Sequence, residues 1–169
     1  MNADQSPNHQ IPIDLRESMR YWTAGVAVVS TVFEGQHHGM TVSSFTSVSL
    51  DPPLVLVSIE QKTRTHEIIG RSNIFGISIL SSQQEEISNR FAGRENDLED
   101  RFAGIDTFSL GSGVLFIQGG LAFFECAVKQ GIAAGSHTVF IAQVVASQSD
   151  LENGSPLVYF NRNYRGLNF

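Results

Sequence analysis

From Val26 the chain reads VAVVSTVF, then EGQ, then HHGMTVSSF. Two apolar, β-branched runs flank Glu34-Gly35, which predicts a strand, a tight turn and a returning strand. Comparable runs follow at LVLVSIE from Leu54, NIFGISIL from Asn73, DTFSL from Asp106, VLFIQ from Val114, LAFFECAVKQ from Leu121, SHTVFIAQVVASQ from Ser136 and PLVYF from Pro156, each predicting a strand and the last leading into a short tail. Helical spacing occurs in three places. IDLRESMRYW puts Leu15, Met19 and Trp22 on one side with Asp14 and Glu17 near its start, where the helix dipole favours them. TRTHEIIGR offers Thr63 or Thr65 as a cap, and SSQQEEISNRFAG offers Ser82 with Glu85 three residues on, the spacing of a capping box, with an end near Gly93. The charged GRENDLEDRFAG reads as a loop with room for one helical turn. Strands with a few interspersed helices, and no regular alternation of the two, predict a mainly β, antiparallel barrel or sandwich with peripheral helices.

Length places all of this in one domain, residues 13–169, behind a flexible polar tail at residues 1–12. Seventeen acidic against 11 basic residues give a net charge of -6 with no Lys/Arg block, so nucleic acid and anionic membrane are disfavoured as partners. The first residues lack the basic and apolar regions of a secretion signal, and no apolar run approaches the roughly 20 residues that span a bilayer. A cytoplasmic protein is expected. The single Cys126 excludes an internal disulfide and, placed in a strand, reads as buried filler.

The segment GMTVSSFTSVSLDPPL carries six hydroxyl side chains within residues 41–49. Extended throughout, it would put Thr41, Ser43, Ser47 and Ser49 on the side of Phe45, and Met40, Val42, Ser44, Thr46, Val48 and Leu50 on the other. Ser44 and Thr46 spoil the alternation, so a bend or bulge near Ser44 is expected, exposing backbone groups able to bind a polar heterocycle or a phosphate. The same pattern also suits hydroxyls decorating a solvent-facing strand.

With its neighbours, this segment closely resembles the signature of the short-chain flavin reductases, the reductase components of two-component flavin-dependent monooxygenases. WTAGVAVVST, FGISILSSQQEEISNRFAG, DRFAG, LAFFECAVKQGIAAGSHTVFIAQV and PLVYFNRNY extend the resemblance over nearly the whole chain, and HGMTVSSFTSVSLDPPLVLVSI with GGLAFFECAV is most similar to the styrene monooxygenase reductases. The resemblance implies an FMN-binding split β-barrel, a homodimer, and NADH or NADPH as hydride donor to FAD or FMN. It implies that Thr41, Val42, Ser43 and Ser44 contact the flavin ring, that Ser47 and Ser49 approach the ribityl phosphate, and that a turn from Thr23 through Gly25 to Val26 closes over the ring. Ser58, Lys62 and Thr63 would lie near the phosphate end. The family's Gly-Asp-His appears here as Gly135-Ser136-His137: the histidine implied beside the nicotinamide is present and the acid is not. Ser136 cannot stabilise an imidazolium by charge, so His137 is expected to protonate less easily and to have little role as an acid.

Other constellations carry less. His37, His38, His66 and His137 match no metal motif, and adjacent strand histidines point to opposite faces. No Rossmann or Walker sequence is present. Arg90, Arg94 and Arg101 surround the charged loop; for Arg101, in DRF, solvation and a phosphate contact both remain open. Phe91 is either helix core or a ring near flavin or adenine, and Tyr164 either a ligand contact or a cover for the barrel end. The expected function is an NAD(P)H:flavin oxidoreductase supplying reduced flavin to a separate oxygenase, with His137 at the reaction. The alternatives are a non-catalytic or electron-relay flavin-binding protein, and an enzyme that oxidises its own substrate.

Overall fold

Alternating side chains send one apolar row to each side of a seven-stranded sheet, and the remaining elements cover those two faces. The computed structural model describes residues 14–93, 100–150 and 154–167. The expected tail, Arg94 and most of the charged loop lie outside the described residues.

The strands are β1 (Ala24–Gly25), β2 (Ala27–Phe33), β3 (Gln36–Val42), β4 (Thr46–Leu50), β5 (Pro53–Glu60), β6 (Ile74–Ile79), β7 (Thr107–Phe108), β8 (Phe116–Ile117), β9 (Ala122–Ala134), β10 (His137–Ser149), β11 (Leu157–Phe160) and β12 (Asn163–Gly166). The helices are α1 (Leu15–Ser18), α2 (Arg64–Ser72) and α3 (Glu85–Phe91). The main sheet runs β3-β2-β6-β9-β10-β5-β4, beside a three-stranded sheet β1-β11-β12 and the pair β7-β8. Every ladder is antiparallel. The mainly β, antiparallel expectation therefore holds, with an open sheet whose edges are β3 and β4. Those edges are consecutive in the chain, so the ends Val42 and Thr46 can lie at most ~14 Å apart. The sheet must curl to bring them together.

Ala27, Val29, Val55, Val57, Ile59, Phe75, Ile77, Cys126, Phe140 and Ala142 fill the inner face, closed by Ile69 of α2. The outer face carries Val28, Leu80, Phe91, Phe102 and Ile117 on one side and Val114, Phe116 and Phe123 on the other. Gly39, Ser30, Gly76 and Glu125 stand in register across β3, β2, β6 and β9 on that face. The first three of these are small and let the aromatic layer approach: a Cβ on Gly39 would lie 2.9 Å from the Phe91 ring, and one on Gly76 2.7 Å from both Phe116 and Val114.

Four local expectations need correction. The first helix is a single α turn followed by a 3-10 turn at Met19–Tyr21, and its apolar side chains are exposed, Leu15 by 65% and Trp22 by 68%. Too few residues are helical for a buried stripe to form. Residues 23–26 are no turn, because Ala24 and Gly25 pair with Tyr159 and Val158 of β11. Ser82 does not cap α3: its N–H bonds Ser155 O at 2.8 Å, and Gln84 occupies the cap. The C-terminal tail is instead a hairpin strand, β12, whose turn places Asn161 and Arg162 at φ 48° and 64°. Without glycine in that turn, the sequence carried little hairpin signal.

The Gly76→Ala variant should be destabilised by about 1–3 kcal/mol, because the added methyl overpacks a filled layer. A urea titration followed by tryptophan fluorescence reads this as a lower midpoint at unchanged slope; an unchanged midpoint would show that the layer yields.

Candidate functional site

The bend at residues 43–45 ends β3 and leaves Thr41, Val42 and Ser43 at the lip of a cavity of about 180 Å³. Val26 enters from the link between β1 and β2, Ala92 from the end of α3, and Tyr159 and Tyr164 from the terminal hairpin. The two tyrosine rings meet edge to face at 5.4 Å and form an aromatic wall. Thr41 Oγ1 donates to Ser88 O at 2.7 Å, and Ser88 Oγ donates to the Tyr164 hydroxyl at 2.8 Å. The expected bend near Ser44 is present. Its effect on parity is visible in Phe45, which packs on the inner core together with Val42 and meets Phe124 at 5.6 Å.

Thr41 and Ala92 also line a second cavity of about 430 Å³. Thr63, Phe91 and Arg101 belong to its wall, with His38, Arg64 and Glu60. Phe91 is fully buried against Phe102 at 4.9 Å, so its ring is core as well as wall. Arg101 Nη1 donates to Gly39 O at 3.0 Å and Phe91 O at 2.9 Å, tying β3 to the end of α3. The Thr63 hydroxyl caps α2 by accepting from His66 N–H and donates to Glu60 O. A third cavity of about 270 Å³ shares Ser43 and Tyr159 with the first and is edged by Arg16, Arg20, Arg162 and Trp22. Through these shared lining residues the narrow cavity neighbours both of the others, a groove in three parts.

His38 was considered above only as a metal ligand. Its Nδ1 lies 2.8 Å from Thr65 Oγ1, and burial, then the Arg101 and Arg64 guanidiniums, push its pKa down to about 4. The imidazole is therefore neutral at neutral pH. Tyr159, Ala92 and Ser88 also escaped the sequence reading, since their roles depend on elements far apart in the chain.

The remaining candidates are spread more widely. Ser44 Oγ donates to Ser58 O at 2.8 Å and accepts from Ser58 N–H at 3.3 Å, so these two hold each other. Ser47 and Ser49 lie on edge strand β4, opposite Val55 and Leu54 with a bulge between, outside the groove. Lys62 and Thr23 are exposed, and Gly25 sits in β1 with open space beside its Cα. His137 opens β10 directly opposite Glu60 of the second cavity; its Nδ1 is 3.0 Å from Ser136 Oγ, and Gln61 Nε2 donates to its carbonyl at 3.0 Å. Cys126 is fully buried, and burial followed by the Glu125 charge pushes its thiol up to about 12, which removes it as a nucleophile at neutral pH. Among the described residues, no helix is long and apolar enough to cross a membrane.

Comparison with known proteins matches nearly the whole chain. Residues 19–168 match the family described as flavin reductase like domain. An NADH-dependent flavin reductase of Rhodococcus sp. is 38% identical over 159 residues, which cover 92% of this chain and 86% of that one. The styrene monooxygenase flavin reductase SMOB from Pseudomonas putida S12 superposes with a TM-score of 0.81 at 36% identity, covering 93% of this chain and 99% of its own. The Streptomyces globisporus C-1027 NADH:FAD oxidoreductase SgcE6, in complex with NAD and FAD fragments, gives a TM-score of 0.82 at 30% identity and 89% coverage of each chain.

The His38 environment makes a pH prediction. Its folded pKa lies below the unfolded value, so the unfolded chain binds more protons between about pH 6.5 and about pH 4. His38 therefore favours the folded state fully above that window, and the contribution is lost as pH falls through it. NMR of the imidazole protons should show one histidine titrating near pH 4, absent from a His38→Gln variant. A midpoint near 6.5 for that resonance would refute the burial argument.

Proposed function

The chain belongs to the flavin reductase like family, and from that membership we propose that it uses NADH to reduce a flavin and hands the reduced flavin to a separate oxygenase component. The observation that carries the site assignment is the groove: a slot with an aromatic wall and apolar Val26 and Val42, edged by the hydroxyls and backbone of Thr41 and Ser43, and sharing lining residues with two larger cavities that carry arginines. Such a slot fits a flat heteroaromatic ring with polar edges and a polar tail. Bound flavin supplies the chemistry by accepting hydride from the nicotinamide. The chain's part is to hold the two rings in register and to exclude competing reactions.

In this reading Thr41, Val42 and Ser43 take the flavin ring, Tyr164 with Tyr159 walls it, and Ser44 acts through its tie to Ser58. Thr63 and Lys62, beside the start of α2, face the phosphate end, with Arg101 and Phe91 shaping that cavity. Ser47 and Ser49 remain on the outer edge strand. The FAD fragment in the related SgcE6 favours FAD over FMN. His137, opposite Glu60, stands where the nicotinamide would reach the slot from the second cavity. We read the curled open sheet as a split barrel, residues 13–169 as one domain, and the setting as cytoplasmic, with Cys126 kept as a thiol.

Anaerobic stopped-flow absorbance at the flavin band, with NADH or NADPH and FAD or FMN, tests the activity. Bleaching should be fastest with NADH and FAD. Flavin binding without NADH oxidation would instead favour an electron-relay protein, and oxygen-dependent product without a partner would favour a self-contained oxygenase. The His137→Ala variant should require roughly 10-fold more NADH for half-maximal reduction while its flavin affinity changes less than about twofold, because a misplaced nicotinamide costs orientation rather than flavin contacts.

The phenylalanine-rich strands do not supply a free apolar face, since Phe75, Phe116 and Phe123 are buried within the protomer. Of the exposed large apolar residues, Val48, Leu50, Ile132, Val145 and Leu167 are scattered along the chain, while Leu15, Met19, Tyr21 and Trp22 stand together in sequence before β1. A second copy covering them makes a homodimer, the assembly that we propose. Sedimentation velocity at micromolar concentration should give a dimer that dissociates in a Trp22→Glu variant; a stable wild-type monomer would overturn it.

A further inference from the structure

Three of the residues around the narrow slot bond to one buried residue that does not itself line it. Ser88, in the middle of α3, is fully buried. Its Oγ donates to the Tyr164 hydroxyl at 2.8 Å. Its carbonyl accepts from Ala92 N–H at 2.9 Å and from Thr41 Oγ1 at 2.7 Å. Tyr164, Ala92 and Thr41 come from β12, the end of α3 and β3, and all three border the same cavity.

Serine is a poor choice for a buried helix interior on propensity alone, because its hydroxyl competes with the helix for backbone partners. Here the hydroxyl goes to the terminal hairpin, 76 residues away in sequence. A buried hydroxyl costs free energy unless bonded, so this contact fixes the Tyr164 ring relative to α3. The bond from Thr41 has a second consequence. A carbonyl only accepts, so the Thr41 proton is committed to Ser88 O, and toward the slot the Thr41 oxygen can only accept.

We propose that Ser88 is a positioning residue for the flavin slot: it sets the separation of the Tyr164 and Thr41 walls and turns Thr41 into an acceptor for an N–H on the edge of the bound ring. The proposal rests on the assignment of the slot to flavin made above. It assigns to α3 a function besides covering the sheet, that of a spacer between the two walls.

A double-mutant cycle on the full chain tests it, with FAD affinity read by quenching of flavin fluorescence for wild type, Ser88→Ala, Tyr164→Phe, the double variant and Thr41→Val. Ser88→Ala and Tyr164→Phe should each weaken FAD by about fivefold, the worth of one hydrogen bond, and the double variant by about the same amount rather than about 25-fold. Thr41→Val should also weaken FAD. A Ser88→Cys variant, which keeps the size and a weaker donor, should fall between wild type and Ser88→Ala. A purely structural role would lower the thermal midpoint without this coupling in affinity. Native affinity or additive losses for Ser88→Ala, with Thr41→Val impaired, would overturn the role of Ser88 and leave the slot standing. Native affinity in every variant would overturn the slot assignment itself.

Discussion

A single side chain replaces the ladder where the sheet folds over on itself: Ser44 donates to the carbonyl of Ser58 at 2.8 Å and accepts from the N–H of the same residue at 3.3 Å. Each such bond contributes on the order of 1 kcal/mol net, but leaving the Ser58 backbone groups buried and unpaired would cost more. The bend that this pair secures lets the chain leave β3 at one edge of the sheet and enter β4 at the other. It also resets parity. Val42 and Phe45, three residues apart, both reach the inner core, which an uninterrupted strand would forbid because side chains alternate. A conventional strand through residues 40–50 would have no lip at Thr41 to Ser43 and no groove.

The second constraint is how closely α3 approaches the outer face. Small residues on three adjacent strands, Gly39, Ser30 and Gly76, leave room for Phe91 and Phe116 to sit almost against the backbone. Arg101 locks that arrangement by bonding one carbonyl on β3 and one on α3. Once Phe91 is seated, Ser88 one turn earlier is brought against Thr41 and Tyr164, so the width of the slot follows from packing several residues away. Core packing and the width of the slot are thus coupled through one short helix.

Electrostatics act locally within this frame. The net charge is -6, yet the groove is edged by Arg16, Arg20 and Arg162 at one end and Arg64 and Arg101 at the other. Glu17 pairs with Arg20 and Arg162, which moderates the first cluster, while the second adds to burial in keeping His38 neutral. An acidic chain can in this way carry local cationic clusters without a basic patch that would attract nucleic acid.

Strand-forming runs, the Glu34-Gly35 turn, the Thr63 cap and the absence of βα alternation were all legible locally, because each depends on side-chain period and backbone preference over fewer than about 15 residues. So was the interruption near Ser44, announced by a break in alternation. The resemblance carried by the hydroxyl segment located the lip of the slot as well. Long-range choices were not legible. The pairing of β1 with β11, the exposure of Trp22 despite helical spacing, the diversion of Ser82 to Ser155 and the assembly of β12 depend on which distant backbone meets which. So does Ser88, whose importance lies in partners 47 residues before it and 76 after it. Local sequence specifies the period and stiffness of each element, but the walls of this groove are set by how the sheet curls and how near α3 packs, and those follow from the fit of whole elements against one another.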